Sequence, residues 1–211
     1  RRSSDLQGSL GDCVCNSASL ILQTMTNGAC KPSRILLYDW CRIMDMCSLA
    51  EDGGTTVDTC CRAISKMGTC SETLFPHDVS KYNELPDMPV IKQSNQFKKF
   101  TYYSVPNTLD ALKKCLYTYK TPISFGIMLY DSFMSAKTAT TGIIPMPDKT
   151  KERAQGGHCI TMIGYDDVKQ AFVCANSWGT NWGDKGKFYL PYKYATDATL
   201  ASDFYRYELV Q

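Results

Sequence analysis

The spacing of apolar residues changes character at Pro122, and that change limits the architectures open to this chain more than any other feature. Ahead of it the spacing is helical. Cys13, Val14, Ala18, Ile21, Leu22 and Met25 predict a helix over residues 13 to 27, ending at the stop signal Asn27-Gly28. Leu36, Trp40, Ile43 and Cys47 predict one face of a second, with Ser33 as its N-cap. Val57, Cys61 and Ile64 predict a third, capped by Thr55 or Thr56 and closed by Gly68. Residues 69–106 hold Pro76, Pro86, Pro89 and Pro106 and read as loops; a short helix from Asn107 then carries Leu109, Leu112, Leu116 and Tyr119. After Pro122 the pattern turns to strands, at 122–130, 158–166, 170–176 and 186–191. The expectation is an α+β protein, a helical lobe joined to a sheet or barrel lobe with a ligand cleft between them.

At 211 residues the chain fits one domain built of two lobes, and a chain of this size buries roughly 70% of its unfolded surface without staples. Its 23 Lys and Arg against 21 Asp and Glu leave a net charge of +2 with no long like-charge block, so neither nucleic acid nor a polybasic membrane anchor is an expected partner. No apolar run approaches the roughly 18 residues of a membrane span. The opening Arg1-Arg2-Ser3-Ser4 reads as the start of a processed or cropped form.

Cysteine stands out at 11 residues, yet no C-x-x-C pair occurs, and a cysteine-rich metal or redox protein is disfavoured for want of ligand spacing. Disulfides and free thiols in a reducing compartment both remain open.

Few residues can carry chemistry. Of the two histidines, His77 follows Pro76 beside Asp78 and is expected to be an exposed turn residue. His158 follows Gly156-Gly157 at the start of an apolar strand, open to a substrate. Cys13 opens the first helix, where the helix dipole is expected to favour a thiolate. Asn176 ends a strand; its side-chain oxygen can accept from an imidazole N–H and fix the tautomer, with Trp178 shielding the bond from water.

The segment Gln7-Gly8-Ser9-Leu10-Gly11-Asp12-Cys13-Val14-Cys15-Asn16 resembles the nucleophile segment of papain-like cysteine peptidases, in the form found among prokaryotic and large-virus members. Gly156-Gly157-His158 and Asn176-Ser177-Trp178-Gly179 resemble the family's His and Asn motifs, and Thr141 to Pro147 is similar to the same subgroup's segment before its His. The similarity runs from Gln7 to about Phe204.

The resemblance implies a papain-like two-lobe fold, with a helical lobe over about 7–103 and a β-rich lobe over about 104–211. It implies Cys13 as nucleophile, His158 as general base and acid, Asn176 as its orienting partner and Gln7 as a side-chain donor to the oxyanion hole. Gly53, Gly54, Gly126, Gly157, Trp178, Trp182 and Ser202 are the implied substrate-binding residues. The expected partner is a peptide or protein substrate in extended conformation, with a pro-segment or inhibitor as a further class. The chain would act as a monomer without metal or other cofactor.

The residues departing from the family pattern are Leu10 and Glu51, where secreted members pair cysteines, Val14, where many relatives have Trp, and Asp12, where Ser is usual. The missing pair favours an intracellular or virion-associated location over secretion. Asp12 could cap the helix and also oppose the Cys13 thiolate. The subsite lined by Gly126, Gly157, Thr56 and Ser202 should be roomy and accept a bulky apolar side chain. The rival readings are a catalytically inactive scaffold of the same fold, which a labelled active-site probe would reveal, and a Cys-His-Asn acyltransferase or transglutaminase-like enzyme. Against the latter stand Gln7 and the Asn176-Ser177-Trp178 motif.

Overall fold

The computed structural model describes residues 6–96 and 100–210. Helix α1 (Cys13–Met25) buries Val14, Cys15, Ala18, Ile21 and Leu22, and the chain leaves it through Asn27 and Gly28 at φ +52° and +81°. Helix α2 (Arg34–Met44) begins where the Ser33 hydroxyl accepts from the Leu36 amide, as expected. It is shorter than its spacing predicted. Met46 turns left-handed at φ +55°, so Cys47 falls outside the helix and is exposed, Ile43 is 38% exposed, and the buried stripe is Leu36, Leu37, Trp40 and Cys41. Helix α3 (Val57–Met67) is capped by Thr56 and ends at Gly68, φ +74°.

The stretch expected to be loop holds two regular elements among its described residues: helix α4 (Met88–Gln96) and strand β1 (Phe100–Ser104). Pro89 does not prevent α4, because an N–H in the first helical turn has no intrahelical acceptor to lose; Asp87 accepts from the Val90 amide there. A 3₁₀ turn, Val79–Lys81, lies in the same stretch.

Helix α5 (Leu109–Thr118), capped by Thr108, leads into strand β2 (Ile123–Tyr130). Helix α6 (Ala136–Thr141), strands β3 (Ala154–Asp166), β4 (Ala171–Ala175) and β5 (Lys187–Pro191), helix α7 (Tyr192–Thr196) and strand β6 (Ala201–Leu209) follow. The six strands form one antiparallel sheet in the order β1-β6-β2-β3-β4-β5.

Two buried cores result. One gathers α1, α2 and α3 with Val90 and, from the sheet, Phe100, Cys159 and Tyr207; the other joins the sheet to α5 and α7 through Phe125, Phe172, Phe188 and Phe204. Phe100 on the edge strand β1 and Tyr207 on its neighbour β6 tie that side of the sheet into the helical core. No helix among the described residues is long and apolar enough to cross a membrane.

Candidate active site

Cys13 is the first residue of α1, and its amide belongs to the first-turn N–H groups without an intrahelical acceptor. Its half-buried Sγ accepts from the Cys159 amide at 3.4 Å, which sets the thiol beside the strand residue that follows His158. In β3, His158 pairs with Ile127 of β2, and it is buried. Its Nε2 lies 2.8 Å from Asn176 Oδ1, and the same oxygen accepts from the Ser177 amide at 2.9 Å. That backbone donor identifies the atom as the amide oxygen, so His158 Nε2 must carry the proton and Nδ1 is the basic nitrogen. The Trp178 ring stacks on the imidazole at 4.9 Å between centroids.

Cys13 and His158 line one cleft of about 470 Å³, together with Gly53, Gly54, Gly126, Gly157 and Ser202. A Cβ built on Gly53 or Gly157 would meet no atom of the protein within 4 Å, so both leave room for a ligand's backbone. Trp178 and Trp182 do not line this cleft. They pack on each other edge to face and on Phe133, and Trp178 reaches the site through His158.

The buried Gln7 is held at both ends of its amide. Oε1 accepts from Ser177 Oγ at 2.7 Å and Nε2 donates to Leu10 O at 2.6 Å, leaving one N–H of the pair. Its backbone amide also donates to Ser177 O at 2.8 Å. Ser177 therefore connects the Asn and Gln segments, a role that its place in the Asn-Ser-Trp motif could have suggested.

The cleft's ridge is fixed by a carboxylate missed from sequence. Asp52 accepts from the Gly11 amide through both oxygens, at 3.0 and 2.9 Å, and from the Tyr38 hydroxyl, which in turn accepts from the Gly54 amide at 3.0 Å. A Cβ on Gly11 would lie 2.8 Å from Asp52 Oδ1, so a side chain there would break this grip. Burial and the Asp52 carboxylate together hold the Tyr38 proton well above the ordinary phenol range.

Two expectations fail here. His77 is no exposed turn residue: its side chain is 6% exposed and its Nε2 lies 2.8 Å from Asp12 Oδ2. Asp12, fully buried, makes no capping bond to α1; it faces His77, and its Oδ1 has no hydrogen-bond partner among the described residues. Burial pushes the Asp12 carboxyl up, opposed by the His77 bond.

The Cys13 thiol is pushed up from its usual value rather than down. Burial outweighs the Cys159 N–H, and the Asp12 charge adds to the rise. Burial lowers His158, with the Asn176 bond opposing.

Comparison with known proteins shows the family and the fold. The family described as papain family cysteine protease matches residues 11–205. A peptidase C1-like protein of Acanthamoeba polyphaga mimivirus is 32% identical over 212 residues, covering 94% of this chain and 67% of the viral protein. The crystal structure of xylellain, a cysteine protease from Xylella fastidiosa, superposes with a TM-score of 0.91 at 27% identity, over 100% of this chain and 84% of that one. A Carica candamarcensis cysteine protease in complex with E-64 shares the fold at a TM-score of 0.73 and 18% identity, over 100% of this chain and 94% of that one.

Proposed function

The chain belongs to the papain family of cysteine proteases, and from that premise we propose that it cleaves peptide bonds through a thioester on Cys13. The observation that carries the reading is the tautomer fixed at His158 by Asn176, in a cleft that also presents the Cys13 thiol. His158 Nδ1 takes the thiol proton, and the sulfur attacks the scissile carbonyl. The Cys13 amide and the remaining N–H of Gln7 are the oxyanion donors. The imidazolium then protonates the leaving amine, and water hydrolyses the thioester with His158 acting in the reverse sense.

The substrate is an extended peptide laid along Gly53-Gly54 and Gly157. Small side chains at Thr56, Ala201 and Ser202 leave the subsite beside Gly126 roomy for a bulky apolar side chain. Asp203 also lines the cleft, and its carboxylate admits a cationic tip on such a side chain. Every catalytic group comes from one chain, so a monomer is sufficient.

Peptide hydrolysis by single variants tests the roles. Cys13→Ala and His158→Ala should both abolish turnover, while Asn176→Ala, which loses orientation and not proton transfer, should retain more. Gln7→Ala should lower kcat by roughly 10²–10³, the usual effect of losing one oxyanion donor. A kinetically silent Gln7→Ala would remove Gln7 from the oxyanion hole, and turnover by Cys13→Ala would refute the mechanism.

A further inference from the structure

Behind the nucleophile, three helices each direct one sulfur to a common point. Cys15 lies in the first turn of α1, Cys60 in the first turn of α3 and Cys41 in the last turn of α2; all three are fully buried, and their Sγ atoms lie within 4.8 Å of one another. Cysteines of this protein also act as lone apolar filler, as Cys115 and Cys174 do in the other core. Convergence of three sulfurs from three separate elements is a different arrangement.

We infer that Cys15, Cys41 and Cys60 form a trigonal three-sulfur site for a soft monovalent metal ion of the Cu(I) type. Coordination chemistry selects the ion. A metal–thiolate bond of about 2.3 Å sets three sulfurs about 4.0 Å apart around a planar centre, within the span seen here. Thiolate sulfur favours soft ions, and among the described residues the group offers no fourth His, Cys or carboxylate ligand of the kind a closed structural zinc site uses. Hard ions need oxygen ligands that the cluster lacks.

A Cu(I) ion held by three thiolates leaves two net negative charges, which the fold offsets only in part. Cys15 sits in the first turn of α1 and Cys60 close to the start of α3, where the dipole favours thiolate, against the burial that raises the Cys15 thiol and the C-terminal dipole of α2 at Cys41. Thr55, close to Thr56 and the start of α3, lines the active-site cleft, which sets the sulfur group near solvent on that side. Each bond from copper to a thiolate replaces an S–H bond and releases that proton to solvent; copper enters and stays as Cu(I), with no oxidant required. The bound ion clamps the first turns of α1 and α3 to the end of α2, two residues from Cys13.

The test uses the chain with Cys13→Ser and Cys47→Ser, which removes the half-buried and the exposed thiols that would compete for metal. Cu(I) is supplied anaerobically as its acetonitrile complex and challenged with bicinchoninate. The site predicts one copper retained per chain, an X-ray absorption shell of three sulfurs at about 2.3 Å, and a rise in Tm. Adding Cys15→Ala or Cys60→Ala should weaken copper binding at least about tenfold. Cys41→Ser, which preserves side-chain size, repeats the comparison if an alanine variant fails to fold. Copper stripped completely from the folded protein, a shell of other than three sulfurs, or retention unchanged in folded Cys15→Ala would overturn the assignment.

Discussion

Asp12 immediately precedes the proposed nucleophile, and its charge acts on Cys13 in the direction that disfavours the thiolate. His77 is the only side chain bonded to that carboxylate among the described residues. Asp12→Asn removes the charge and keeps an amide that can bond the imidazole. Because a like charge is lost, the Cys13 thiol should ionise at lower pH, and the ascending limb of alkylation rate against pH should move down. Superimposable profiles for the two proteins would show that the Asp12 charge does not reach the thiol. His77 illustrates what a sequence hides at this scale. Its neighbours Pro76 and Asp78 spell an exposed turn, while the partner that buries it lies 65 residues away. Cys13 shows the converse. Its place at a helix start was legible, whereas the burial that reverses the expected direction of its titration belongs to the packed lobe.

Helix α2 is anchored at its first turn by Ser33 and Arg34. The Ser33 hydroxyl accepts from Leu36 N and donates to Phe75 O at 2.6 Å, and Arg34 pairs with Glu72 at 2.6 Å while also donating to Asn16 Oδ1 at 3.0 Å. Removing the cap by Ser33→Ala should cost about 1–2 kcal/mol, since the buried Leu36 amide and the half-buried Phe75 carbonyl lose their bonds together. Denaturant unfolding measures it; an unchanged midpoint would show the cap to be redundant with the Arg34–Glu72 pair. Ser33, Thr56 and Gly68 were readable because capping chemistry is local. Helix α4 was not, because four prolines dominate the stretch and only the position of Pro89 within the first turn makes it harmless. Strand β6 escaped for another reason. Asp203 adopts φ +57°, and the β2–β6 register shifts between Ser124 and Gly126, so regular alternation is broken where it would have signalled a strand.

The two cores are tied by strands that the change at Pro122 could not reveal. Tyr207 on β6 is fully buried in the helical core, where its hydroxyl meets the Cys61 thiol at 3.3 Å. Tyr207→Ala should destabilise the protein by about 3–5 kcal/mol, as for other large aromatic truncations, and unfolding followed by separate probes in each lobe should show both shifting together. A shift confined to one lobe would mean that the lobes unfold independently. The α+β architecture was nonetheless legible, since helix and strand periodicities are local, and Cys13, His158, Asn176 and Gln7 could be picked out as candidates because the three motifs keep chain order. The cleft itself, with Asp52, Tyr38 and Ser177 arranged around those residues, exists only once the lobes meet. Cysteine labelling is the most direct measurement of whether that cleft makes Cys13 the reactive nucleophile among 11 cysteines. After brief exposure of the native protein to limiting iodoacetamide, intact mass and peptide mapping should find a single adduct on Cys13, with peptide hydrolysis lost in proportion and no adduct of comparable rate in Cys13→Ala. Preferential labelling of another cysteine, or hydrolysis that survives complete modification of Cys13, would contradict the account.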